Sequence, residues 1–491
     1  MSERILERSL KFLILLLGLI LLAILVIPFT ADAQTHIHRS IQNNTSAIWT
    51  SGGTITFTIS GDTIATFSSD APDSIGRGVA IEYDSTGSSS VKAICFIKYR
   101  ISKRQFGVQR FQGGNPSPAS ATTTWNMFHA YATYEKLHNG DENDGIDNTV
   151  ENFDAHTDGV NIDARSEYWN VAFYAGSNDI TGTQGGDDMN TSATERLKLY
   201  APCGTKYVGT SQRHSGKLTF RAAVLTATTN GFFTNDDAGT RVCQHIDFEG
   251  LQWQVTTTTG AIALVFNNSA SEQMQATITD NIFVGSDSVS TVASAHCAIQ
   301  VASGTAATSS YIYIKNSLFY NWKTSGSTTH EGGVMFTATN FGGTVLVNNC
   351  TFYKCEVGVK RSNAGNTLTI KNNIFNRVAD GINPVGAVAG DKNVVDITGD
   401  CSACTNEILG SALFTSVSGA DFSLRTGSNA IDAGADLSGD TLPVTKDGKG
   451  YARSGTYDCG FLEFGAAASG CSTEVDATSS PTLLRRRNPV Q

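Results

Sequence analysis

Three residues with ionisable side chains recur at one position of a repeating pattern in the second half of the chain. His296, Glu331 and Lys354 each lie three residues before the first apolar residue that we expect to point inward in a short strand. If these strands stack about 4.8 Å apart in a parallel sheet, an imidazole, a carboxylate and an ammonium group fall within reach of one another. This arrangement predicts a general acid and base at the edge of a groove. The alternative is a surface ladder of ion pairs, which exposed mixed charges form without a catalytic role.

Six residues near these three are candidates for binding a substrate. They are Glu356, Lys360, Asp380, Tyr320, Trp322 and Tyr353. The first three add charge to the same alignment, and the aromatic rings either offer flat faces to sugar rings or pack in the core.

The outward positions of the strand that borders this groove carry no ionisable side chain. In our alignment these positions are Ala263, Gln300, Met335, Gly358 and Asn383. A lyase needs a base and a cation beside its substrate, and a glycosidase needs facing carboxylates. The composition of this strand therefore weighs against an active site centred on it.

The acidic stretch from Asp141 to Asp147 suggests a calcium site. Asp141, Asn143 and Asp147 are the candidate ligands, because oxygen-bearing side chains alternate there. Gly145 stands at the fifth place, whereas the twelve-residue helix–loop site has glycine at the sixth, and the bidentate glutamate of that site is missing. A solvated loop is the alternative. Calcium is the only cofactor that the sequence suggests.

A sequence pattern that occurs five times predicts the strands and corners that position these residues. Its pattern is apolar-x-small-x-x-aromatic, in Phe248–Trp253, Ile278–Phe283, Ile314–Phe319, Val347–Phe352 and Ile370–Phe375. The third position is Gly, Asp or Asn, which tolerate the left-handed backbone of a sharp corner and, as asparagine, can hydrogen-bond in a ladder. We expect the first apolar residue and the aromatic residue to point inward and to stack with their equivalents.

A second strand in each repeat lies between these segments, for example at Ala298–Val301. Units of this size predict coils of a β-solenoid. An antiparallel sandwich is the alternative, but it needs hairpin turns such as Asn-Gly at short spacing, and this stretch has few of them.

These repeats resemble the right-handed parallel β-helix proteins of the pectin-lyase-like superfamily, as found in secreted and cell-surface bacterial proteins. The closing segments Asp421–Gly434 and Tyr457–Phe464 resemble the last coils of such proteins. The resemblance implies an all-β parallel β-helix with an N-terminal β-rich cap or small domain. It also implies polysaccharide as the class of partner, without assigning an activity.

The N-terminus predicts export. Basic residues precede the apolar run Phe12–Phe29, and Ala31-Asp32-Ala33 fits a signal-peptidase site, so residues 1–33 read as a signal peptide. An uncleaved membrane anchor is the alternative. We expect a β-rich region or cap over 34–120, a mixed region with a short helix near Thr124–His138 over 121–196, the β-helix over 197–465 and a flexible tail over 466–491.

Composition limits the classes of function. The chain has 491 residues, of which 48 are glycine and 16% are charged, and its formal net charge is −10. This acidity argues against nucleic acid as a partner. Ten cysteines are compatible with disulfides in an exported protein. We therefore expect a secreted or surface-displayed protein with a structural or glycan-binding role, or alternatively a polysaccharide lyase or glycoside hydrolase acting at the groove edge.

Overall fold

Three parallel sheets, built from successive coils, form the main body of the protein in a computed structural model. The structure describes residues 34–466, apart from 51, 87–91, 118–120, 157–158, 181–188, 219–222, 228–231, 235–242, 257–260, 268–272, 287–295, 304–309, 324–330, 338–341, 363–364, 366, 398–403, 441–442 and 454. The predicted signal peptide and most of the predicted tail lie outside these residues.

Each coil contributes one strand to each of up to three sheets. Sheet 1 has ten strands: Thr35–Ile41, Glu167–Phe173, Leu197–Tyr200, His245–Glu249, Gln275–Thr279, Tyr311–Lys315, Thr344–Asn348, Thr367–Lys371, Val388–Asp391 and Cys404–Thr405. Sheet 2 has nine strands: Gly176–Ile180, Ala223–Ala227, Gln252–Val255, Ile282–Val284, Leu318–Tyr320, Thr351–Tyr353, Ile374–Asn376, Val394–Val395 and Ile408–Leu409. Sheet 3 has six strands: Phe232–Thr234, Ile262–Asn267, His296–Ser303, Glu331–Phe336, Val357–Arg361 and Asp380–Pro384.

The strands of the repeat pair in parallel with their equivalents one coil away, as from Gln275–Thr279 to Tyr311–Lys315 and on to Thr344–Asn348. The fold is a right-handed parallel β-helix, which confirms the predicted fold class. The antiparallel sandwich is excluded for this region, because its sheets are parallel.

The corner between sheets 1 and 2 has the predicted left-handed residue in every repeat. The backbone φ angles of Gly250, Asp280, Asn316, Asn349 and Asn372 are 70°, 58°, 45°, 52° and 56°. Only Gly, Asn and Asp adopt such angles at little cost. The prediction for the corner is therefore confirmed.

The predicted asparagine ladder lies one residue further along the chain than expected. Asn373 Nδ2 donates to Val347 O at 2.8 Å and to Asn393 Oδ1 at 3.0 Å, while Asn393 Nδ2 donates to Ile370 O at 3.0 Å. These side chains point into the coil because they follow the corner residue. The corner asparagines themselves point outward, so the predicted position of the ladder is wrong.

The repeat aromatics form an interior column. Consecutive ring centroids are 6.0, 5.1, 4.6 and 4.9 Å apart, and no pair of planes is inclined by more than 10°, along the series Trp253, Phe283, Phe319, Phe352 and Phe375. This confirms that the terminal aromatic of each repeat points inward and stacks with its equivalents.

The outward column of sheet 3 differs from the predicted one in two coils. Its members are Val265, Gln300, Met335, Lys360 and Asn383. Ala263 is instead part of the main core, and a Cβ on Gly358 would come within 2.5 Å of the Phe375 ring. The predicted alignment is therefore shifted by two residues there, and the column does contain one ionisable residue, Lys360.

A seven-stranded, mainly antiparallel sheet precedes the repeats. In spatial order its strands are Trp49–Thr50, Trp125–Phe128, Ala80–Asp84, Lys92–Arg100, Gln105–Gln109, Asp62–Phe67 and Ile55–Ser60. The described residues contain one helix, Tyr134–Asn139, which begins after the N-cap Thr133 and ends at the left-handed Gly140. The helical turn expected near Thr124–His138 is thus found only in its second half, because Trp125–Phe128 is a strand.

The last described segment packs along the corner between sheets 1 and 2. We call residues 430–464, apart from 441–442 and 454, the C-terminal strap. The corner side chains hold its backbone: Asn316 Nδ2 donates to Lys446 O at 2.7 Å, Asn349 Nδ2 to Asp458 O at 3.2 Å, and Asn372 Nδ2 to Ala435 O at 2.8 Å. A short hairpin, Phe414–Ser416 with Asp421–Leu424, precedes the strap.

Five of the ten cysteines are buried free thiols in the structure, so they do not form the disulfides with which the sequence is compatible. They are Cys95, Cys297, Cys350, Cys355 and Cys459. In the part of the chain that the structure describes, no helix is long and apolar enough to span a membrane.

Candidate functional site

A cleft of about 340 Å³ lies on the outer face of sheet 1. Its floor is made of outward-pointing residues from successive coils, and strap residues Pro443–Lys446 form one wall. A volume of this size falls at the lower end of the range for small-molecule sites.

Strand alternation brings the side chains of the floor together. Lys198, Asp247 and Thr277 are register partners on three successive strands, and Glu249, Thr279 and Lys315 form the next column. Residues between them, such as Phe248 and Ile278, are buried in the core. The period of two along each strand thus fixes which residues face the cleft.

Two ion pairs cross between neighbouring strands of the floor. Arg196 Nη2 lies 2.8 Å from Asp247 Oδ1, and its Nε donates to Oδ2 of the same carboxylate at 3.0 Å. Lys198 Nζ lies 2.6 Å from Glu249 Oε2. These charges are largely buried, so the pairs are screened less than exposed ones.

Arg213 links two carboxylates of the site. It forms ion pairs with Glu249 and with Asp280, the latter at 3.0 Å from Nη1 to Oδ2. Gly250 makes room for it, because a Cβ there would come within 2.2 Å of Arg213 Nε. The left-handed corner favours Gly, Asn or Asp, and the close approach of the guanidinium leaves only glycine at this position.

The two carboxylates have opposite pKa shifts. Burial raises the pKa of the Asp280 carboxyl to about 6, although Arg213 acts in the other direction. Burial would also raise the pKa of Glu249, but Lys198 and Arg213 outweigh it and hold this pKa well below its usual range. At neutral pH the Glu249 carboxyl is fully ionised, whereas the pKa of Asp280 lies so close to neutral pH that a small fall in pH protonates it.

Two ammonium groups of the cleft lack a carboxylate partner. Among the described residues, Lys315 Nζ donates only to Pro443 O, at 3.2 Å, and Lys446 lines the opposite wall. Neither lysine forms an ion pair there. Burial lowers the pKa of Lys315, and Asp280 and Glu249 partly offset this effect.

The structure brings two of the three predicted catalytic residues side by side. His296 and Glu331 are register partners on adjacent strands of sheet 3. Lys354 instead occupies the corner after Thr351–Tyr353, with φ of 54°. The His296 side chain is fully buried, its ring centroid lies 4.9 Å from that of Trp322, and burial lowers its pKa to about 4. A catalytic role for the three stays a prediction.

The predicted sugar-binding aromatics are covered by other parts of the chain. Trp322 is fully buried and donates from Nε1 to Phe283 O at 3.2 Å. Tyr320 and Tyr353 stack at 6.1 Å, and both contact Phe422 of the C-terminal hairpin at 5.4 Å. These contacts give all three rings a packing role.

The predicted charged neighbours lie along sheet 3. Glu356 Oε2 is 3.8 Å from Lys323 Nζ, and Asp380 Oδ2 accepts a hydrogen bond from Asn383 Nδ2 at 2.6 Å. Lys360 lies in the outward column between Met335 and Asn383. Substrate binding by these residues stays a prediction.

The predicted calcium ligands have partners within the protein. Asn143 is buried, and its Nδ2 donates to Asn44 O and His129 O at 2.9 and 3.0 Å. Asp147 Oδ1 accepts from Thr149, and Asp141 is exposed. Within the described ranges, no group of three His, Cys, Asp or Glu residues is placed to hold a metal ion.

The residues of the cleft were not predicted from the sequence, although part of the signal is present in it. Glu249, Asp280 and Lys315 lie in or next to the repeat segments that defined the fold. Charged residues at outward positions of several strands, such as Lys198, Glu249 and Lys315, are the pattern that could have identified this face. Arg213 and Lys446 come from outside the repeats, and only the folded chain brings them there.

No protein-family model matches the chain, and no match was found among curated proteins. Among solved structures, the crystal structure of pectate lyase Pel9A is similar, with 12% sequence identity and a TM-score of 0.27. The similarity covers 60% of this chain and 88% of that one. This similarity concerns the fold alone.

Proposed function

We propose that the protein binds an acidic polysaccharide in the cleft on sheet 1. The observation that carries this proposal is the pair of ammonium groups, Lys315 and Lys446, that line the cleft without a carboxylate partner among the described residues.

The charges of the site support an anionic ligand. Arg196 balances Asp247, while Lys198 and Arg213 together balance Glu249 and Asp280. Lys315 and Lys446 then leave an excess of positive charge in a chain whose net charge is −10. A carboxylate or sulfate on a sugar supplies the missing partner, and neighbouring hydroxyls of Thr277 and Thr279 can bind sugar hydroxyls.

Affinity electrophoresis in gels that contain polygalacturonate, chondroitin sulfate or neutral dextran tests this proposal. We expect one of the acidic polymers to retard the protein, dextran not to, and added salt to weaken the retardation. Lys315→Met and Lys446→Met should each reduce retardation. Lys360→Met on sheet 3 is the matched control and should behave like the wild type. Loss of binding in Lys360→Met alone would favour the groove beside sheet 3 instead.

A second candidate function is cleavage of the bound polysaccharide. Asp280, whose pKa is raised to about 6, and the ionised Glu249 share Arg213 at the cleft. Carboxyl groups whose environments separate their pKa values are typical of acid–base pairs in glycosidases. An assay for new reducing ends, and for the absorbance of unsaturated uronates, distinguishes hydrolysis from elimination. Activity that survives Asp280→Asn but not Glu331→Gln would move the chemistry to the predicted groove edge.

We also propose that the protein is exported. The apolar run and the Ala-Asp-Ala motif near residue 33 support this proposal. N-terminal sequencing of protein recovered from outside the cell should begin at Gln34, whereas an intact N-terminus in the membrane fraction would indicate an uncleaved anchor.

A further inference from the structure

We infer that the cleft continues into a covered subsite at Asn348, where the amide binds hydroxyl groups of the next sugar of the polysaccharide. This inference rests on the proposed function and adds a second sugar position to it.

Asn348 is the next member of the column that contains Glu249, Thr279 and Lys315. It is 1% exposed, yet neither its Oδ1 nor its Nδ2 has a hydrogen-bond partner. Buried side-chain amides nearly always have partners, because leaving one unpaired costs free energy. A donor and an acceptor that the protein itself does not pair, lying beside a cleft, therefore point to a position that binds a polar group.

A second unfilled group lies on the other side of Lys315. Asp280 is 5% exposed, and its Oδ1 also lacks a hydrogen-bond partner. Polar atoms without a hydrogen-bond partner thus lie on both sides of Lys315 along sheet 1, near the strap. The cluster lies next to the open cleft, whose floor includes both Asp280 and Lys315.

Described strap residues contact the strands on both sides of Asn348. Lys315 Nζ donates to Pro443 O at 3.2 Å on one neighbouring strand, and Lys371 Nζ pairs with Asp440 Oδ2 at 2.9 Å on the other. Both contacts involve partly exposed lysines and are weak individually. A sugar residue bound next to Lys315 accepts the hydrogen bond that Lys315 Nζ otherwise donates to Pro443 O. The same sugar residue then reaches Asn348.

A hydroxyl group suits this position better than a charged group. An amide offers one acceptor and two donor hydrogens, and a hydroxyl can satisfy both kinds. The anionic group of the polysaccharide then stays with Lys315 and Lys446 in the open cleft, and the uncharged part of the next sugar enters the covered subsite.

Isothermal titration calorimetry of wild type and Asn348→Leu tests the inference. The ligands are trisaccharides and hexasaccharides of galacturonate and of chondroitin sulfate. We expect the affinity for the hexasaccharide to fall about tenfold relative to wild type, while that for the trisaccharide changes less. Because the substitution removes an unpaired buried amide, the melting temperature should rise slightly. Gln300→Leu, the same kind of change on sheet 3, is the matched control and should leave both affinities unchanged.

Asn348→Asp provides a second variant of almost identical size. Its carboxylate should repel the acidic ligand and lower the hexasaccharide affinity further at low salt than at high salt. If the wild type binds and both Asn348 variants bind equally well, the amide holds only trapped water and the inference is overturned. If the wild type binds neither series nor the parent polymers, the proposed function itself fails.

Discussion

The outer faces of sheets 1 and 3 belong to the same coils but have opposite character. Sheet 1 presents ion pairs and a cleft, built on Lys198, Asp247 and Glu249. Sheet 3 presents a buried apolar cluster that includes Val265, Cys297 and Met335. The backbone of a β-helix therefore does not determine which face carries a polar site.

The difference between the faces comes from segments outside the repeat. Arg213 reaches sheet 1 from the long connection between Leu197–Tyr200 of sheet 1 and Ala223–Ala227 of sheet 2, and the strap supplies the wall with Lys446. Both segments remove water from the charges beneath them, which shifts the pKa values of Asp280 and Lys315. A regular sheet face becomes a site when irregular segments enclose it.

The largest expected effect on stability is that of Arg213→Ala. This change leaves Glu249 and Asp280 buried without their shared counter-charge, and removing one partner of a buried ion pair costs about 3–5 kcal/mol. Chemical denaturation at pH 8 should show this loss. Arg104→Ala, which breaks an exposed pair with Asp70, is the control and should change stability little. If the two substitutions lowered the free energy of unfolding equally, the ion pairs of Arg213 on sheet 1 would not be enclosed from water.

Met335→Ala tests the opposite face. Met335 is fully buried in the outer cluster of sheet 3, and truncating a buried methionine costs about 2–5 kcal/mol. Thermal and urea denaturation should show this loss, while polysaccharide binding at a temperature where the variant is folded should be unchanged. A weakened affinity in the folded variant would assign binding to sheet 3.

Asp280→Asn should change the pH dependence of stability. The folded pKa of about 6 lies above the ordinary value of 3.8, so the contribution of Asp280 is fully present below pH 3.8 and is lost as the pH rises through 6. The variant lacks this loss and should be more stable than wild type at pH 8 by about 2–3 kcal/mol, but not at pH 3.5. Urea denaturation at the two pH values measures the difference. A constant difference between them would contradict the raised pKa.

The smallest effect is expected for Glu356→Gln at the edge of sheet 3. Its partner Lys323 is 3.8 Å away and 56% exposed, so the pair contributes less than about 0.5 kcal/mol. Melting temperature and polysaccharide binding should both match the wild type. Because Glu356 is a predicted substrate ligand, a loss of binding without a loss of stability would support the groove beside sheet 3.

The fold could be predicted from the sequence because its determinants are local and recur. The left-handed residue at the corner and the aromatic residue three positions later, such as Asn316 and Phe319, repeat in five successive coils. Their structural roles follow from backbone geometry and burial alone. The asparagine ladder was placed one residue early because the sequence shows which residues are asparagine but not which one points inward.

The candidate site could not be predicted in the same way, because its residues are far apart in the chain. Arg213 and Asp280 are 67 positions apart, and Lys315 and Pro443 are 128 apart. The outward column of sheet 3 was misaligned at Ala263 and Gly358 because inward and outward residues were counted by strict alternation. This alternation fails near Ala263, since the consecutive residues Ala263 and Leu264 both belong to the main core.

From Glu249 onwards the corner between sheets 1 and 2 takes two residues in each described coil, as at Asp280–Asn281 and Asn372–Asn373, whereas the other connections differ in length. A duplication or deletion of one whole coil therefore preserves the cross-section of the solenoid and the packing between neighbouring coils. Such a change would lengthen or shorten the face offered to a polymer without redesign of the interior. The length of the proposed polysaccharide-binding face could thus change by copying one coil, while the side chains of the cleft evolve separately in the segments that border it.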